Sequence, residues 1–331
     1  PDDAEEHYRD LLRLTEKFRD IEPHVYAFYQ GPWIENHFIS HFINKPLSYF
    51  RGMIPLFVQW NDIVMHDYLM KRPPRYDSLA SSLRHNVLYV TVTQYDDGFG
   101  QLQQQYPNIL VFSAGGYGNI PIPLIKGELS LAANLTFSEY KYDSGFYGNQ
   151  YTHPYRRHMM VAIETAMKRE RISYKLSSSP HWMRDMSETR LNLAPRGNGR
   201  TSFRITEIIH MGRIPVYMYA GVSWMPYENS VIDYSHIGLV GSKSNISLLV
   251  AEMKMILANK TRFYELLESV KRARGYYTYS GVIRQIELYI RDIGRVEADR
   301  REREKERERE KEICFLRCAM LPDHSNSWKS F

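Results

Sequence analysis

Residues 195–207 combine glycines, arginines, hydroxyl side chains and a carboxylate in one short stretch, a set suited to binding a phosphate group. The candidate binding residues are Arg196, Gly197, Gly199, Arg200, Thr201, Ser202, Arg204 and Glu207. Glycines let the backbone approach a ligand, arginine forks match phosphate oxygens, and a serine hydroxyl can cap a helix or bind an oxygen. Glu207, one turn after Arg204, could accept hydrogen bonds from ribose hydroxyls. A structural loop with solvated arginines would contain the same residues, so both interpretations remain open here.

The residues around this stretch predict a strand, a loop, a helix and a second strand. An apolar run over 191–194 ends at Pro195, and Ile205, Ile208 and Ile209 recur at helical spacing. Gly212 suits the end of that helix, and 214–218 is the next apolar run. A βαβ unit implies parallel strands and directs the positive end of its helix towards the loop. The loop has neither the Gly-Lys-Ser/Thr of a P-loop nor the glycine spacing of a dinucleotide fingerprint.

Two runs of residues carry a family signature: Pro195-Arg196-Gly197-x-Gly199-Arg200-Thr201-Ser202-Phe203-Arg204, and then Gly212-Arg213-Ile214-Pro215-Val216. They resemble the exostosin family of glycosyltransferases, strongly over 190–218 and more weakly over 155–260. The resemblance implies an α/β fold of the GT-B type, with two Rossmann-like domains facing a cleft. It also implies donor binding in the C-terminal domain by the residues above, and by Arg156 and Arg157 at the start of a helix. Asn192 stands where the family often has a cysteine, so a disulfide there is absent.

The function implied by the resemblance is inverting, metal-independent transfer of a sugar from a nucleotide sugar, expected to be a UDP-sugar, to a glycan acceptor. No cofactor is implied besides the donor substrate. The alternative is a non-catalytic partner subunit that binds nucleotide or glycan without transferring, because the family includes chains that work in hetero-complexes. Homodimers and heterodimers both fit. Family members are typically anchored in the Golgi membrane with the domain in the lumen, so we expect a Golgi location and an N-terminal anchor that is missing from this chain.

The composition and length of the chain limit which ligands, sites and domains are expected. Among 331 residues, Lys and Arg outnumber Asp and Glu by 43 to 38, which favours anionic ligands, and no nucleic-acid-binding motif appears. The two cysteines, Cys314 and Cys318, leave no disulfide framework or cysteine metal site. The predicted organisation is an acceptor-side Rossmann-like domain over 1–150, a donor domain over 151–294, and a charged helical tail over 295–331. No apolar run approaches the length of a membrane helix.

An inverting transfer needs a general base, which we expect in the N-terminal half, facing the donor. Strands are predicted over 24–29, 53–60, 88–93 and 109–113, and their ends should share one edge of a sheet. Asp97 follows the strand over 88–93 in a glycine-flanked turn and is the first candidate, ahead of Asp96, Asp62 and Glu35. The segment 140–155 lacks a period and is expected to link the domains or border the cleft. The folded part contains no Asp-x-Asp motif, so no metal site is predicted.

Overall fold

The structure is a computed structural model that describes residues 2–292, except positions 20, 24, 26–28, 70–76, 100 and 228–230. One compact unit extends to Ile286, and a second unit begins at Glu287. The helices are α1 (Asp2–Leu14), α2 (Ile34–Phe42), α3 (Trp60–Leu69), α4 (Asp77–Ala80), α5 (Gln101–Gln105), α6 (Pro154–Arg169), α7 (Trp182–Ser187), α8 (Phe203–His210), α9 (Ile246–Ala258), α10 (Lys260–Ala273) and a helix over 279–292. No described helix is both long enough and apolar enough to cross a membrane.

Nine described strands form two parallel sheets. The strands are β1 (Met53–Pro55), β2 (Leu88–Thr93), β3 (Ile109–Ser113), β4 (Ile120–Pro121), β5 (Tyr142–Tyr147), β6 (Tyr174–Ser177), β7 (Thr189–Pro195), β8 (Ile214–Tyr219) and β9 (Leu239–Ser242). The first sheet has the order β1-β2-β3-β4 and the second has the order β6-β5-β7-β8-β9. Every described strand pair is parallel, so the predicted α/β class is confirmed.

The second sheet reverses its direction of growth between β5 and β7. The chain goes from β5 outward to β6 and then returns to place β7 on the other side of β5. The helices after these two strands pack on opposite faces of the sheet: Met159 and Ile163 of α6 join one core cluster, and Ile205 and Ile208 of α8 join the other. A reversal of this kind opens a crevice at the carboxyl ends of the two strands, where ligands of open α/β sheets bind.

The βαβ unit predicted from the sequence is present as β7, α8 and β8. Ser202 is the N-cap of α8, and its side chain accepts a hydrogen bond from the Arg204 backbone N–H. Gly212 ends the helix with a φ of 65°, a conformation that costs glycine little. The three isoleucines Ile205, Ile208 and Ile209 are buried, as their spacing predicts. Local sequence therefore determines both ends and the inner face of this helix.

Two predicted segments differ from the structure. Only Met53–Pro55 of the run 53–60 is strand, and Trp60 begins α3, because periodicity cannot distinguish a buried strand from the start of a buried helix. The segment over 140–155, predicted to link the domains or to border the cleft, contains β5, an inner strand of the second sheet, so that sheet begins before the predicted division after residue 150. The polar residues of β5 suggested a loop, but in the structure Ser144 is fully buried and Asp143 pairs with Arg190.

Two other predictions lie largely or wholly outside the described residues. Most of the strand predicted over 24–29 falls at positions that the structure does not describe, and so does the charged tail over 295–331.

Candidate functional site

A cavity of about 660 Å³ lies at the switch between β5 and β7. Its walls include the residues that follow the carboxyl ends of three strands: Gly148 and Asn149 after β5, Ser178 to Pro180 after β6, and Gly197 and Asn198 after β7. Asp96, Leu124 and Lys126 contribute from the part of the chain that carries the first sheet. We call this space the switch-point cavity. The predicted phosphate loop therefore shares one space with residues from both halves of the compact unit, the half that carries the first sheet and the half that carries the second.

The loop that follows β7 is held by hydrogen bonds within the second sheet. The Arg196 N–H donates to the Met218 carbonyl at 2.8 Å, and the Gly197 N–H donates to the Thr201 carbonyl at 2.6 Å. The Arg196 guanidinium folds back onto its own loop and donates to the Asn198 carbonyl at 2.7 Å. The predicted anion loop is thus a closed turn, with Gly197, Thr201 and Ser202 on the cavity.

Arg156, in the first turn of α6, holds this loop in place through hydrogen bonds to its backbone. Its Nε donates to the Arg196 carbonyl at 2.7 Å, and its Nη2 donates to the Pro195 carbonyl at 3.2 Å and lies 3.5 Å from Ser202 Oγ. Its Nη1 donates to the Asn149 carbonyl at 3.0 Å and to Thr152 Oγ1 at 3.1 Å. The guanidinium is buried and joins the ends of β5 and β7 on either side of the switch. Arg156 lines the cavity, and these bonds make it an organiser of the loop.

Glycines allow the loop to meet the first half of the chain without side chains between them. A Cβ on Gly199 would lie 2.1 Å from the Gly115 carbonyl oxygen, and a Cβ on Gly116 would lie 2.4 Å from Arg200 Cβ. The Arg200 N–H donates to the same Gly115 carbonyl at 2.9 Å, and Trp224 Nε1 donates to the Ser113 carbonyl at 2.9 Å. Gly199 therefore permits a close contact between protein segments, whereas the sequence suggested a close contact with a ligand.

Three charged side chains meet on another wall of the cavity. Lys126 Nζ lies 3.2 Å from Glu207 Oε1, and Arg204 Nη1 lies 2.9 Å from Glu207 Oε2. The Arg204 guanidinium also stacks at 4.5 Å over the Trp182 ring. Burial lowers the pKa of Arg204, and the Glu207 carboxylate opposes that effect. Arginine remains protonated throughout the physiological range, so Arg204 stays a cation on this wall.

The structure brings six of the ten predicted donor-binding residues to the switch-point cavity. These are Arg156, Gly197, Thr201, Ser202, Arg204 and Glu207. The other four do not line it: Arg196 bonds to its own loop, and Gly199 faces Gly115. Arg200 lies over the Tyr117 ring at 4.4 Å, and Arg157 is exposed beside Tyr151.

The candidate bases occupy different environments. Asp97 is exposed and is not among the described residues that line the cavity, whereas its neighbour Asp96 is half-buried and does line it. Asp62 lies in the first turn of α3, is buried, and accepts a hydrogen bond from Gln59 Nε2 at 3.3 Å. The sequence placed Asp62 just beyond a strand, but it belongs to a helix. Of these carboxylates, Asp96 is the one that faces the loop 195–204.

Glu35 is a buried carboxyl group at the start of α2. One of its oxygens accepts hydrogen bonds from the Gln94 N–H at 2.8 Å and the Asn61 N–H at 3.3 Å, which ties α2 to the end of β2 and to α3. Burial raises the pKa of Glu35 to about 8, and the nearby Asp62 charge acts in the same direction. A carboxyl group that stays protonated at neutral pH cannot serve as a general base there, so Glu35 has the properties of a structural residue.

Replacing Glu35 with glutamine should therefore change stability in a pH-dependent way. The folded state keeps a proton that the unfolded chain releases near its ordinary pKa of 4.5, so the contribution of Glu35 to wild-type stability should fall as pH rises from about 4.5 to about 8. The slope for one proton is about 1.4 kcal/mol per pH unit. Glu35→Gln imitates the protonated group, so its stability relative to wild type should increase over this range and level off above it. Urea unfolding at several pH values measures the difference.

The control for the general loss of one carboxyl group is Glu6→Gln, at an exposed site on α1. A constant stability difference between Glu35→Gln and wild type from pH 5 to pH 9 would contradict the assignment of a buried, protonated carboxyl group.

A larger groove, of about 1110 Å³, lies beside the amino end of β9 and the second half of α9. Its lining includes Asp233, Leu239, Glu252, Met255 and Arg262. Ligands of parallel α/β sheets bind at the carboxyl ends of the strands, so its position argues against a role as the substrate site.

No group of three or more His, Cys, Asp or Glu side chains is placed to hold a metal ion within the described part of the chain.

The sequence did not point to several residues of the cavity. Lys126 follows a proline-rich segment without any surrounding motif, and Trp182 and the segment 178–180 precede the recognised loop. Their position results from the sheet order, because the end of β6 lies beside the end of β5, although β6 comes before β7 in the chain. Asp96, by contrast, was already a secondary candidate, because it follows a predicted strand.

Comparison with known proteins gives matches to structures only. No protein-family model matches the chain, and no curated protein matches it in sequence. S. aureus TarM, as a mutant solved with fondaparinux, alpha-GlcNAc-glycerol and UDP, is similar at 8% identity with a TM-score of 0.43, over 66% of this chain and 54% of TarM. The chain thus spans about half the length of TarM.

Two further solved structures are similar. An alpha-glucosyltransferase in complex with UDP and a 13-mer DNA matches at 10% identity with a TM-score of 0.40, over 65% of this chain and 74% of that one. Anabaena Alr3699/HepE in complex with UDP matches at 10% identity with a TM-score of 0.36, over 74% of this chain and 80% of that one.

Proposed function

We propose that the chain is a glycosyltransferase that binds a nucleotide sugar, for which a UDP-sugar is the first choice, and transfers the sugar to a glycan acceptor. The observation that carries this proposal is the switch-point cavity, which places the loop 195–202, the start of α8 and the Arg204 guanidinium around one space. Helix N-termini and arginine forks both favour phosphate groups. The exostosin-like signature falls on the same loop and gives the proposal its more specific form, an inverting transferase that needs no metal.

In the proposed reaction the donor diphosphate lies against Gly197, Ser202 and Arg204, with the sugar towards Asp96. Asp96 takes the proton of the acceptor hydroxyl as that oxygen attacks the anomeric carbon from the side opposite the phosphate. The bond between the anomeric carbon and the phosphate oxygen breaks, and the nucleoside diphosphate leaves with the electron pair. Hydrogen-bond donors that already point towards the leaving oxygen stabilise its negative charge without reorganisation. Attack from the opposite side inverts the anomeric centre.

A donor screen tests the proposal. Purified protein is incubated with individual UDP- and GDP-sugars and a panel of glycan acceptors, with EDTA or with Mn²⁺, and nucleotide release and product are measured. We expect transfer from at least one donor, and we expect it to survive EDTA. Transfer that is lost in EDTA and restored by Mn²⁺ would contradict the metal-free mechanism.

A pair of variants connects the screen to the site. Arg204→Met should weaken nucleotide binding about tenfold or more, because a charge-assisted hydrogen bond contributes about 1.5–3 kcal/mol. Arg157→Met, an exposed arginine outside the cavity, is the matched control and should bind like wild type. Equal affinities for wild type and Arg204→Met, measured by calorimetry with UDP and GDP, would rule out this phosphate site. Nucleotide binding without transfer to any acceptor would instead support a non-catalytic partner subunit.

A further inference from the structure

The cluster of Lys126, Glu207 and Arg204 joins two parts of the chain that are far apart in sequence. Lys126 follows β4 of the first sheet, whereas Glu207 and Arg204 both belong to α8 of the second sheet. Each oxygen of Glu207 faces a different cation, at 3.2 Å from Lys126 Nζ and 2.9 Å from Arg204 Nη1. All three residues line the switch-point cavity. The carboxylate thus holds one cation from each half against the same space.

The charged side chains that line the cavity carry a net positive charge, because Lys126, Arg156 and Arg204 outnumber Asp96 and Glu207. The side chains of Lys126, Arg204 and Glu207 are only 22%, 14% and 6% exposed. Lys126 Nζ also lies 5.6 Å from the centre of the Phe203 ring, which presents it to the cavity beside the start of α8. A desolvated surplus of positive charge at a helix N-terminus is a favourable environment for a group that carries more than one negative charge.

We propose that Lys126 binds the diphosphate of the donor together with Arg204, and that Glu207 is the positioning residue that holds both cations in place. This inference rests on the proposed function, and it adds a phosphate ligand that comes from the first half of the chain. A lysine ammonium is a compact charge with three donors, so it can bind a phosphate oxygen while it stays paired with the carboxylate. Bound diphosphate would then connect both halves of the compact unit.

This assignment gives Glu207 a role different from the contact with ribose hydroxyls that its position one turn after Arg204 suggested. Its two oxygens are committed to cations, so its main effect is on where Lys126 and Arg204 lie. If the Lys126–Glu207 pair only joined the two halves, its removal would alter stability and leave ligand affinity unchanged. Binding measurements with ligands of different phosphate content separate these two roles.

The experiment measures the affinities of uridine, UMP and UDP, and of guanosine, GMP and GDP, by calorimetry for wild type, Lys126→Met, Lys126→Arg and Glu207→Gln. Lys126→Met should weaken the affinity for whichever diphosphate wild type binds by about tenfold or more. The affinity for the matching nucleoside should stay within about twofold, because only the diphosphate reaches the ammonium. Lys126→Arg, which keeps the charge, should recover most of the loss. Glu207→Gln should weaken the diphosphate more than the nucleoside, because it releases both cations.

The matched control is Lys141→Met, because Lys141 is also paired with a glutamate, at 2.9 Å from Glu188, but lies outside the cavity. Its diphosphate affinity should equal that of wild type. If wild type binds the diphosphate and Lys126→Met binds it equally well, the role of Lys126 is refuted while the proposed function stands. If wild type binds none of the six ligands, the proposed function fails, and the inference fails with it.

Discussion

Asp96→Asn is expected to slow sugar transfer by about 10²–10⁴-fold, the usual contribution of a positioned general base. Asp96 lines the switch-point cavity from the end of the β2 segment, opposite the loop that we propose for the donor phosphates. Its Oδ1 lies within 3.0 Å of the point where a Cβ on Gly199 would be, so the carboxylate is in contact with that loop. Asparagine keeps the size and removes the basic oxygen, so nucleotide affinity and stability should stay near those of wild type.

Asp97→Asn is the matched control, since it makes the same change one residue away at an exposed position. The structure therefore favours Asp96 over Asp97, although the sequence favoured Asp97. Steady-state rates for wild type and both variants, at saturating donor and acceptor, decide between them. A wild-type rate in Asp96→Asn together with a large loss in Asp97→Asn would return the role to Asp97. Wild-type rates in both variants would show that neither residue is the base.

Arg156→Met is expected to reduce both stability and nucleotide affinity. The change removes the donors to two backbone carbonyls of the loop, those of Pro195 and Arg196, and it separates the ends of β5 and β7. Buried acceptors left without donors cost roughly 1–3 kcal/mol each, so the free energy of unfolding should fall by about 3 kcal/mol. For a unit of this size the Tm should fall by about 5 °C. Nucleotide affinity should fall about tenfold or more, because the loop loses its fixed shape.

Arg157→Met provides the comparison, because it removes the next arginine of the same helix, whose side chain is exposed. It should leave the Tm and the affinity near those of wild type. Thermal unfolding gives the stability, and calorimetry with UDP and GDP at a temperature well below both Tm values gives the affinity. Arg156→Met with an unchanged Tm would show that the hydrogen bonds of Arg156 to Pro195 and Arg196 do not hold the loop.

The sequence by itself determined the features that depend on neighbouring residues. The βαβ unit from β7 to β8 is where it was predicted, because Ser202, the three isoleucines of α8 and Gly212 set its start, its inner face and its end through local geometry. The strand over 88–93 is also confirmed, since a β-branched, apolar run leaves few alternatives. The α/β class was implied by the family resemblance and by the βαβ unit around the loop.

Segments whose polar residues are satisfied by distant partners could not be predicted in this way. β5 contains Asp143, Ser144 and Gly145, which suggest a loop, yet it lies between β6 and β7. Asp143 accepts hydrogen bonds from the Ser173 N–H and pairs with Arg190, and both partners lie on other strands or their connections. Propensity is a weak guide when pairing on both sides of a strand determines its structure.

The candidate site shows the same division between local and distant information. The loop 195–204 was recognised from its own residues, and six of the ten predicted donor-binding residues do face one cavity. Which of them face it was decided by packing: Gly199 meets Gly115, and Arg200 lies over Tyr117. Side chains of similar chemistry on one loop point in different directions, so spacing along the chain cannot assign them to ligand or to protein.

Only the tertiary structure could add Lys126 and prefer Asp96 to Asp97. Lys126 and Glu207 are distant in sequence, and their ion pair exists because the two sheets bring the segment after β4 against α8. Asp96 and Asp97 are adjacent in the chain, but successive side chains in a turn point apart, and just one of the two faces the cavity. The sequence alone therefore determined the chemistry of the loop and the helix behind it, while the order of the strands decided which other charges meet that loop.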